Sequence, residues 1–165
     1  MYEGGIRTPA IVSMPGTIPV GVVSQQVWTF ADFLPTMSEL TGEKIPGSID
    51  GVSVWQSWLS GKVQEHPPLY FEFHERGFTQ AARIGDWKAV KLSPTTPLEL
   101  YDLKSDIGEA KDVAGQHPEE VARCEEFLKS ARTESELWPI RPAKAKNASA
   151  AADKKAATSK QDTVQ

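Results

Sequence analysis

Two apolar runs meet at a glycine and an aspartate in residues 81–92, which read AARIGDWKAVKL. Gly85-Asp86 is suited to a tight two-residue turn, because glycine adopts a positive φ without a steric penalty. The stretch therefore predicts a β-hairpin, with one strand before the turn and one strand after it.

Two more strands and a helix are predicted around this hairpin. Residues 69–74, LYFEFH, carry large apolar side chains at the odd positions, which is the period of a strand with one buried face. Residues 98–101, LELY, supply a fourth strand. Pro118 begins a helix, so the pattern predicts a four-stranded antiparallel sheet that is covered on one face by one helix. The apolar residues of that helix are Val121, Cys124, Phe127, Leu128 and Ala131.

The first 60 residues predict one strand and two helices. The apolar run at 10–14 is typical of a short buried strand. Asp32 predicts the N-cap of a helix over 32–41, and a second, short helix is predicted over 54–59 from the spacing of its tryptophans. The apolar residues expected on one face of the longer helix are Phe33, Met37 and Leu40.

Composition narrows the classes of function. Of the 165 residues, 39% are hydrophobic, which is enough for a packed core. No apolar run approaches the ~20 residues that span a bilayer, and the N-terminus shows no export signal. The lone Cys124 excludes an internal disulfide and a cysteine-based zinc site. Because it lies on the apolar stripe beside Glu125 and Glu126, we predict a packed and unreactive thiol.

Charge is distributed unevenly along the chain. Residues 141–165 carry six Lys or Arg residues against two Asp residues, whereas the whole chain has a formal net charge of −4. The body is therefore acidic, which argues against nucleic acid as a partner. Residues 139–165 are rich in alanine and lysine and contain only two large apolar residues, Ile140 and Val164, so they predict a disordered tail.

Five segments, taken in order, resemble motifs of the sulfatase family. Residues 2–9, YEGGIRTP, followed by Met14-Pro15-Gly16, are similar to the EGG-x-R-x-P…W-P-G segment, with Met14 where tryptophan is usual. The other segments are DFLPT…TG within 32–42, DGVS…LSG within 50–61, RIGDWK at 83–88, and LYDL…DIGE within 100–109, where isoleucine replaces the usual proline.

The resemblance implies an α/β hydrolase of sulfate esters that is related to the alkaline phosphatases. Its large domain carries the active site, and a small C-terminal subdomain has four antiparallel strands and a helix. The resemblance also implies a formylglycine made within C/S-x-P/A-x-R, a divalent cation such as calcium held by Asp and Asn, and an exported or periplasmic parent enzyme. The cation would act as a Lewis acid.

Those reactive elements do not occur in this sequence. Cys124 is followed by EEFL, which does not match the modification motif, and there is no Asp-Asp or Asp-Asn pair. We therefore predict that the chain corresponds to the C-terminal portion of a sulfatase and is inactive alone. Its expected partner is an N-terminal catalytic portion, and the expected substrate of the whole enzyme is a sulfate ester.

The predicted fold class is α+β for this chain. Residues 1–62 are expected to form an edge of the large α/β domain, and residues 63–138 the antiparallel subdomain. Two alternatives remain open for function. One is a phosphonate or phosphate ester hydrolase of the same superfamily, and the other is a non-catalytic binding module.

Two groups of residues are candidates for the site. In the family the EGG segment runs close to the sulfate, so the resemblance places Glu3, Gly4, Gly5 and Arg7 there. The alternative is that the two glycines permit a tight turn that Glu3 and Arg7 fix by hydrogen bonds.

The second group is His74 and Arg76, in the loop between the first two predicted strands. Loops of this subdomain approach the mouth of the cleft in the family, so both residues are predicted to contact the part of the substrate beyond its sulfate. A solvated hairpin loop is the alternative.

Overall fold

The structure is a computed structural model that describes residues 1–45, 47–75 and 77–140. Arg76 and the predicted tail from residue 141 onward lie outside the described residues. The chain order is α1 (Glu3–Ile6), a 3₁₀ turn (Phe30–Asp32), α2 (Phe33–Thr41), α3 (Trp55–Ser60), β1 (Leu69–Phe73), β2 (Thr79–Ile84), β3 (Trp87–Lys91), β4 (Glu99–Asp102), a 3₁₀ turn (Ala114–Gln116) and α4 (Pro118–Ser130).

The four strands form one antiparallel sheet in the order β1-β2-β3-β4. Ala82 pairs with Tyr70 on one side and with Ala89 on the other, which fixes the register of the three neighbouring strands. Gly85 adopts φ +61° in the turn between β2 and β3. The predicted sheet and the predicted α+β fold class are therefore confirmed.

The helix face of the sheet packs against α4, as predicted. Because successive side chains of a strand point to opposite faces, Ala82, Ala89 and Leu100 share this face. Cys124 and Leu128 of α4 complete the core and are almost fully buried. The other members of this core are Ile84 and Leu98.

The expectation of a single buried face was wrong, because the opposite face is also covered. Ala81, Val90 and Tyr101 are buried on this N-terminal face of the sheet. Phe71 of β1 packs on the same cluster together with Met1 and Tyr2. The first residues of the chain therefore form the cover that the alternation within β1 did not reveal.

The two predicted helices of the N-terminal part are confirmed, but Asp32 does not cap α2 with its side chain. Its carboxylate instead accepts the backbone N–H of Thr29 at 2.5 Å and that of Val52 at 2.9 Å. Asp32 is 1% exposed. It therefore joins the start of α2 to the segment that leads into α3.

The strand expected at 10–14 is wrong. Within the described residues this run has no strand partner and is exposed, with Ile11 at 97%. The expected apolar face of α2 is also partly wrong, because Phe33 is half exposed whereas Pro35 and Thr36 are buried. In both cases large apolar side chains remain half exposed or more exposed than that, as Phe33 and Ile11 show.

None of the helices in the described part of the chain has the length and apolar character needed to cross a membrane.

Candidate functional site

Glu3 of α1 lies in a buried group of charges on the N-terminal face of the sheet. Lys88 donates from Nζ to Glu3 Oε1 at 2.8 Å, and its side chain is fully buried. Arg83 lies 3.6 Å from Glu3 Oε2. Glu109 Oε1 lies 3.7 Å from Lys88 Nζ, and Glu109 Oε2 accepts the backbone N–H of Glu3 at 2.5 Å. We call Glu3, Arg83, Lys88 and Glu109 the anchor cluster.

The anchor cluster joins three of the motif segments. Glu3 comes from the EGG segment, Arg83 and Lys88 from RIGDWK, and Glu109 from the DIGE end of the fifth segment. A buried ammonium needs a negative partner because it has lost its hydration, and two carboxylates supply that charge here. The cluster therefore fixes α1 on the sheet.

The tyrosines beside the anchor cluster extend the attachment of the N-terminus. Tyr2 donates its hydroxyl to Glu99 Oε2 at 2.6 Å, and Tyr101 donates to the same oxygen at 2.9 Å. Burial and these bonds to a carboxylate raise the pKa of Tyr2 to about 12. The same two causes, in the same order, raise the pKa of Tyr101. Both hydroxyls are therefore held in their protonated, donating form.

Gly4 and Gly5 do not form the tight turn that one interpretation expected. Both lie in α1, neither has a positive φ, and a Cβ at either position would meet no atom within 4 Å. Arg7 ends this segment with a side chain that is 47% exposed and 3.8 Å from Glu3 Oε2. The only hydrogen-bond partner of the Arg7 side chain within the described residues is Gln25, at 3.5 Å. The surface over Gly4, Gly5 and Arg7 is therefore open.

His74 is held in place at the end of β1. Its Nε2 lies 3.1 Å from Glu72 Oε1. Its ring lies near those of Phe78 and Trp138, with centroid distances of 5.1 and 5.4 Å. His74 therefore has more contacts than a residue of a solvated hairpin loop, because two aromatic rings and a carboxylate lie beside it.

Glu72 binds His74 and also contacts Tyr70 and Arg132. Its Oε2 accepts the Tyr70 hydroxyl at 2.7 Å and Arg132 Nε at 3.0 Å. Burial alone would raise the pKa of Glu72, but the hydrogen bonds from Tyr70 and His74 and the Arg132 guanidinium outweigh it and hold the pKa below its ordinary value. Arg132 also donates to the Trp138 carbonyl at 2.6 Å. The segment after α4 is thereby attached to the loop that carries His74.

The structure does not bring the two groups of candidates together. Glu72 projects from the helix face of the sheet, and Lys88 from the N-terminal face. No hydrogen bond or ion pair within the described residues joins His74 to Arg7. Arg76 lies outside the described residues.

The described residues do not fit the cofactors that the resemblance implies. Within them no group of three or more His, Cys, Asp or Glu side chains could hold a metal ion. Cys124 is buried in the core on the side of α4 that faces the sheet, and burial together with the nearby Glu120 raises the pKa of its thiol to about 11. We therefore derive no step through a metal or a formylglycine in this chain.

Sequence reasoning missed the residues that hold the candidates. Lys88 stands between apolar neighbours in β3, and a sheet that is expected to be covered on one face gives no reason to bury a lysine on the other face. Glu109 lies in the fifth motif segment, which gave no sign of burial, yet its side chain is only 3% exposed. The alternation of β3 contained a usable signal, because Lys88 shares its face with the fully buried Val90.

A family model described as N-sulphoglucosamine sulphohydrolase, C-terminal, matches residues 1–134. The chain is 35% identical over 117 residues to N-acetylgalactosamine-6-sulfatase of Sus scrofa, which covers 69% of this chain and 22% of that protein. It is 34% identical over 128 residues to an uncharacterized sulfatase of Schizosaccharomyces pombe, with 71% and 23% covered.

Solved structures share the fold. The crystal structure of Ps i-CgsB superposes with a TM-score of 0.66 at 21% identity, covering 87% of this chain and 32% of that chain. The chain thus spans less than a quarter of the two curated relatives above and about a third of this structure.

Proposed function

The chain belongs to the sulfatase family, as its C-terminal portion, and from this premise we propose that it completes a sulfuric ester hydrolase without performing the chemistry itself. The proposed partner is an N-terminal catalytic portion of the same family. That portion would supply the formylglycine and the divalent cation, and the whole enzyme would act on a sulfate ester. The sulfatase names of the curated relatives support this class of substrate.

One observation carries the proposal. Four large apolar side chains of the N-terminal part are almost fully exposed, namely Ile11 at 97%, Val20 at 96%, Phe30 at 91% and Val23 at 89%. Exposing side chains of this size to water is unfavourable by roughly 1.5–3 kcal/mol each relative to burial. We call these four residues the apolar set, and the catalytic portion is the occupant that we propose for it.

The proposed partner also implies a division of the chain into two domains. We propose that residues 1–62 belong to the edge of the catalytic domain and that residues 63–138 form the C-terminal subdomain. The extensive packing of β1–β4 and α4 supports the second assignment. The exposure of the apolar set supports the first, because a domain edge lacks its neighbours when it is described alone.

The candidate residues take two roles in this proposal. The open surface over Gly4, Gly5 and Arg7 would face the sulfate. The anchor cluster would position this surface by attaching α1 to the sheet. His74 and Arg76 would face the remainder of the substrate. Glu72 supports this role for His74, because it holds Nε2 and leaves Nδ1 without a hydrogen-bond partner within the described residues.

Activity of the purified chain is the direct test. We expect no turnover of an aryl sulfate by the 165-residue chain, with calcium supplied or removed, because C/S-x-P/A-x-R is missing from it. A full-length sulfatase assayed in parallel controls for the substrate. Turnover that co-purifies with the chain through two unrelated separations would overturn the proposal.

Dye binding tests the apolar set. The wild-type chain should bind an environment-sensitive hydrophobic dye, and changing Ile11, Val20, Val23 and Phe30 together to serine should remove most of that signal without lowering the melting temperature. A matched control changes three other exposed apolar residues to serine, Val63, Ile107 and Leu137. Equal loss of signal in both variants would count against a specific surface.

The coding sequence distinguishes the catalytic partner from the alternatives. A reading frame directly upstream that encodes C/S-x-P/A-x-R would support the sulfatase or its phosphonate-hydrolase alternative. A genomic region without any remnant of that motif would favour the stand-alone binding module and contradict the proposal.

A further inference from the structure

Residues 62–68, which we call the connector, lead from α3 into β1 without regular secondary structure. Gln26 holds the connector at Gln64, whose N–H donates to Gln26 Oε1 at 2.7 Å and whose carbonyl accepts from Gln26 Nε2 at 3.3 Å. His66 holds it two residues later, because its Nε2 lies 3.1 Å from Asp32 Oδ2. The connector is thus attached to the N-terminal part by one amide side chain and by one side chain that can change its charge.

Both ring nitrogens of His66 face hydrogen-bond acceptors. Nε2 faces the Asp32 carboxylate, and Nδ1 lies 2.8 Å from the Pro67 carbonyl oxygen. The Asp32 carboxylate acts as an acceptor throughout, since it also accepts the backbone N–H groups of Thr29 and Val52. A neutral imidazole has one N–H and can satisfy only one of two acceptors, whereas the imidazolium donates to both. The geometry therefore fits the charged form of His66.

The contact between His66 and Asp32 is shielded from solvent. Only 9% of the His66 side chain and 1% of the Asp32 side chain are exposed. Charges interact more strongly in such a place than at the surface, because less water lies around them. The charge on the imidazole therefore matters more to this contact than it would to an exposed pair.

The other charged groups that face His66 line a cavity of about 320 Å³ between the connector, the β2–β3 turn and α4. They are Glu65 of the connector, Asp86 of the turn and Arg123 of α4. Arg123 lies 3.4 Å from Glu120, which offsets its charge. The carboxylates around the cavity therefore also favour the imidazolium. The cavity leaves the connector room to move away from Asp32 toward the turn.

We propose that His66 and Asp32 form a pH-sensitive latch between the N-terminal part and the sheet. Histidine changes its charge between about pH 5 and 8. On the acid side of this range the imidazolium donates to both acceptors, and the latch is closed. As the pH rises, His66 loses one N–H and the latch opens, so its stabilisation is present in acid and lost toward alkali. The attachment of Gln26 to Gln64 has no titratable group and persists.

Thermal melts of the 165-residue chain at about pH 5.5 and about pH 8 test the latch. His66→Gln should lower the melting temperature by several degrees in acid and by much less at the higher pH. Gln26→Ala should lower it equally at both, because only an amide is lost. His117→Gln is the matched control, at a histidine side chain that is 38% exposed, and its effect should not depend on pH in this way. Equal losses at both pH values in His66→Gln overturn the proposal.

Nuclear magnetic resonance of the wild-type chain gives a second readout that needs no substitution. At about pH 5.5 both ring nitrogens of His66 should carry a proton, and at about pH 8 only one should. The amide resonances of Thr29 and Val52, which share the Asp32 carboxylate with His66, should shift together with this change, whereas the Gln64 amide should shift less. A His66 ring that keeps the same charge at both pH values, or a change of charge that leaves the Thr29 and Val52 amides unmoved, overturns the proposal.

Discussion

Gly51 lies against the backbone at the start of α2, and this contact leaves no room for a side chain. A Cβ at Gly51 would stand 2.0 Å from the Ala31 carbonyl oxygen and 2.8 Å from the Asp32 nitrogen. Backbone atoms cannot turn aside as the end of a long side chain can. The glycine of the DGVS segment is therefore required by packing, and it brings Val52 within hydrogen-bond distance of Asp32.

The substitution Gly51→Ala should lower the free energy of unfolding by about 1–3 kcal/mol or more, as overpacking does in other proteins. Urea denaturation followed by circular dichroism measures it. Gly5→Ala is the matched control, since its Cβ would meet open space, and we expect no loss of stability there. Similar losses at both positions would contradict the close approach.

The pairing of charges in the anchor cluster could not be predicted from the sequence. The EGG segment could be recognised, and Glu3 could be placed within it. The partner of Glu3 could not be predicted, because Lys88 is 85 residues away and Glu109 is 106 residues away. Local pattern carries no information on which of the chain's 18 Lys and Arg residues meets which carboxylate.

α1 is an element that depends on long-range contacts. It has four residues, and an isolated helix of that length is not stable in water. Its contacts with the sheet run through Glu3 to Lys88 and Arg83, and through Tyr2 to Glu99. We therefore expect α1 to persist only while the anchor cluster is intact.

Lys88→Met keeps most of the side-chain length but removes the ammonium from a buried pair. We expect a loss of about 3–5 kcal/mol, because the Glu3 and Glu109 carboxylates lose their buried counter-charge. The amides of Gly5 and Arg7, which bond to Tyr2 and Glu3 within α1, should exchange faster with solvent. Denaturant titration and hydrogen exchange are the measurements.

Two further variants test whether the lost charge causes the loss of stability in Lys88→Met. Lys91→Met makes the same change on the same strand, at a lysine that forms no ion pair within the described residues, and should be nearly neutral. The double variant Lys88→Met with Glu3→Gln removes one charge of each sign and should be less destabilised than the single variant. A double variant that is worse than the single would show that charge balance is not what the cluster provides.

The elements themselves were mostly predictable. Turn chemistry at Gly85-Asp86 and the apolar periodicity of α4 are local, and both features hold in the structure. The run at 10–14 was not predictable, because a strand needs a neighbouring strand and none lies beside it within the described residues. The composition of an apolar run does not show whether another strand lies beside it.

The whole molecule should resist mild alkali and then lose stability steeply. All three tyrosines have raised pKa values, which reach about 12 for Tyr2 and Tyr70 through burial first and then through bonds to carboxylates. Since the folded pKa exceeds the unfolded value of about 10, this stabilisation is complete below pH about 10. It is lost as the pH rises toward about 12, because the unfolded state gives up the protons more easily.

The predicted alkaline loss of stability can be tested by measuring the melting temperature as a function of pH and following the ultraviolet absorbance of tyrosinate. Tyrosinate should appear only as the fold melts, and Tyr2→Phe should remove part of the alkaline loss. Titration of all three tyrosines near their ordinary pKa in a chain that is still folded would contradict the expected burial.

The span of the anchor cluster also sets an order of events during synthesis. The EGG segment leaves the ribosome before its binding partners, which are the strand that carries Lys88 and the turn that ends at Glu109. Its attachment is therefore complete only after more than a hundred further residues have been made. A translational stall before residue 109 would leave the sheet without α4 on one face and without Glu109 on the other, a species suited to capture by chaperones.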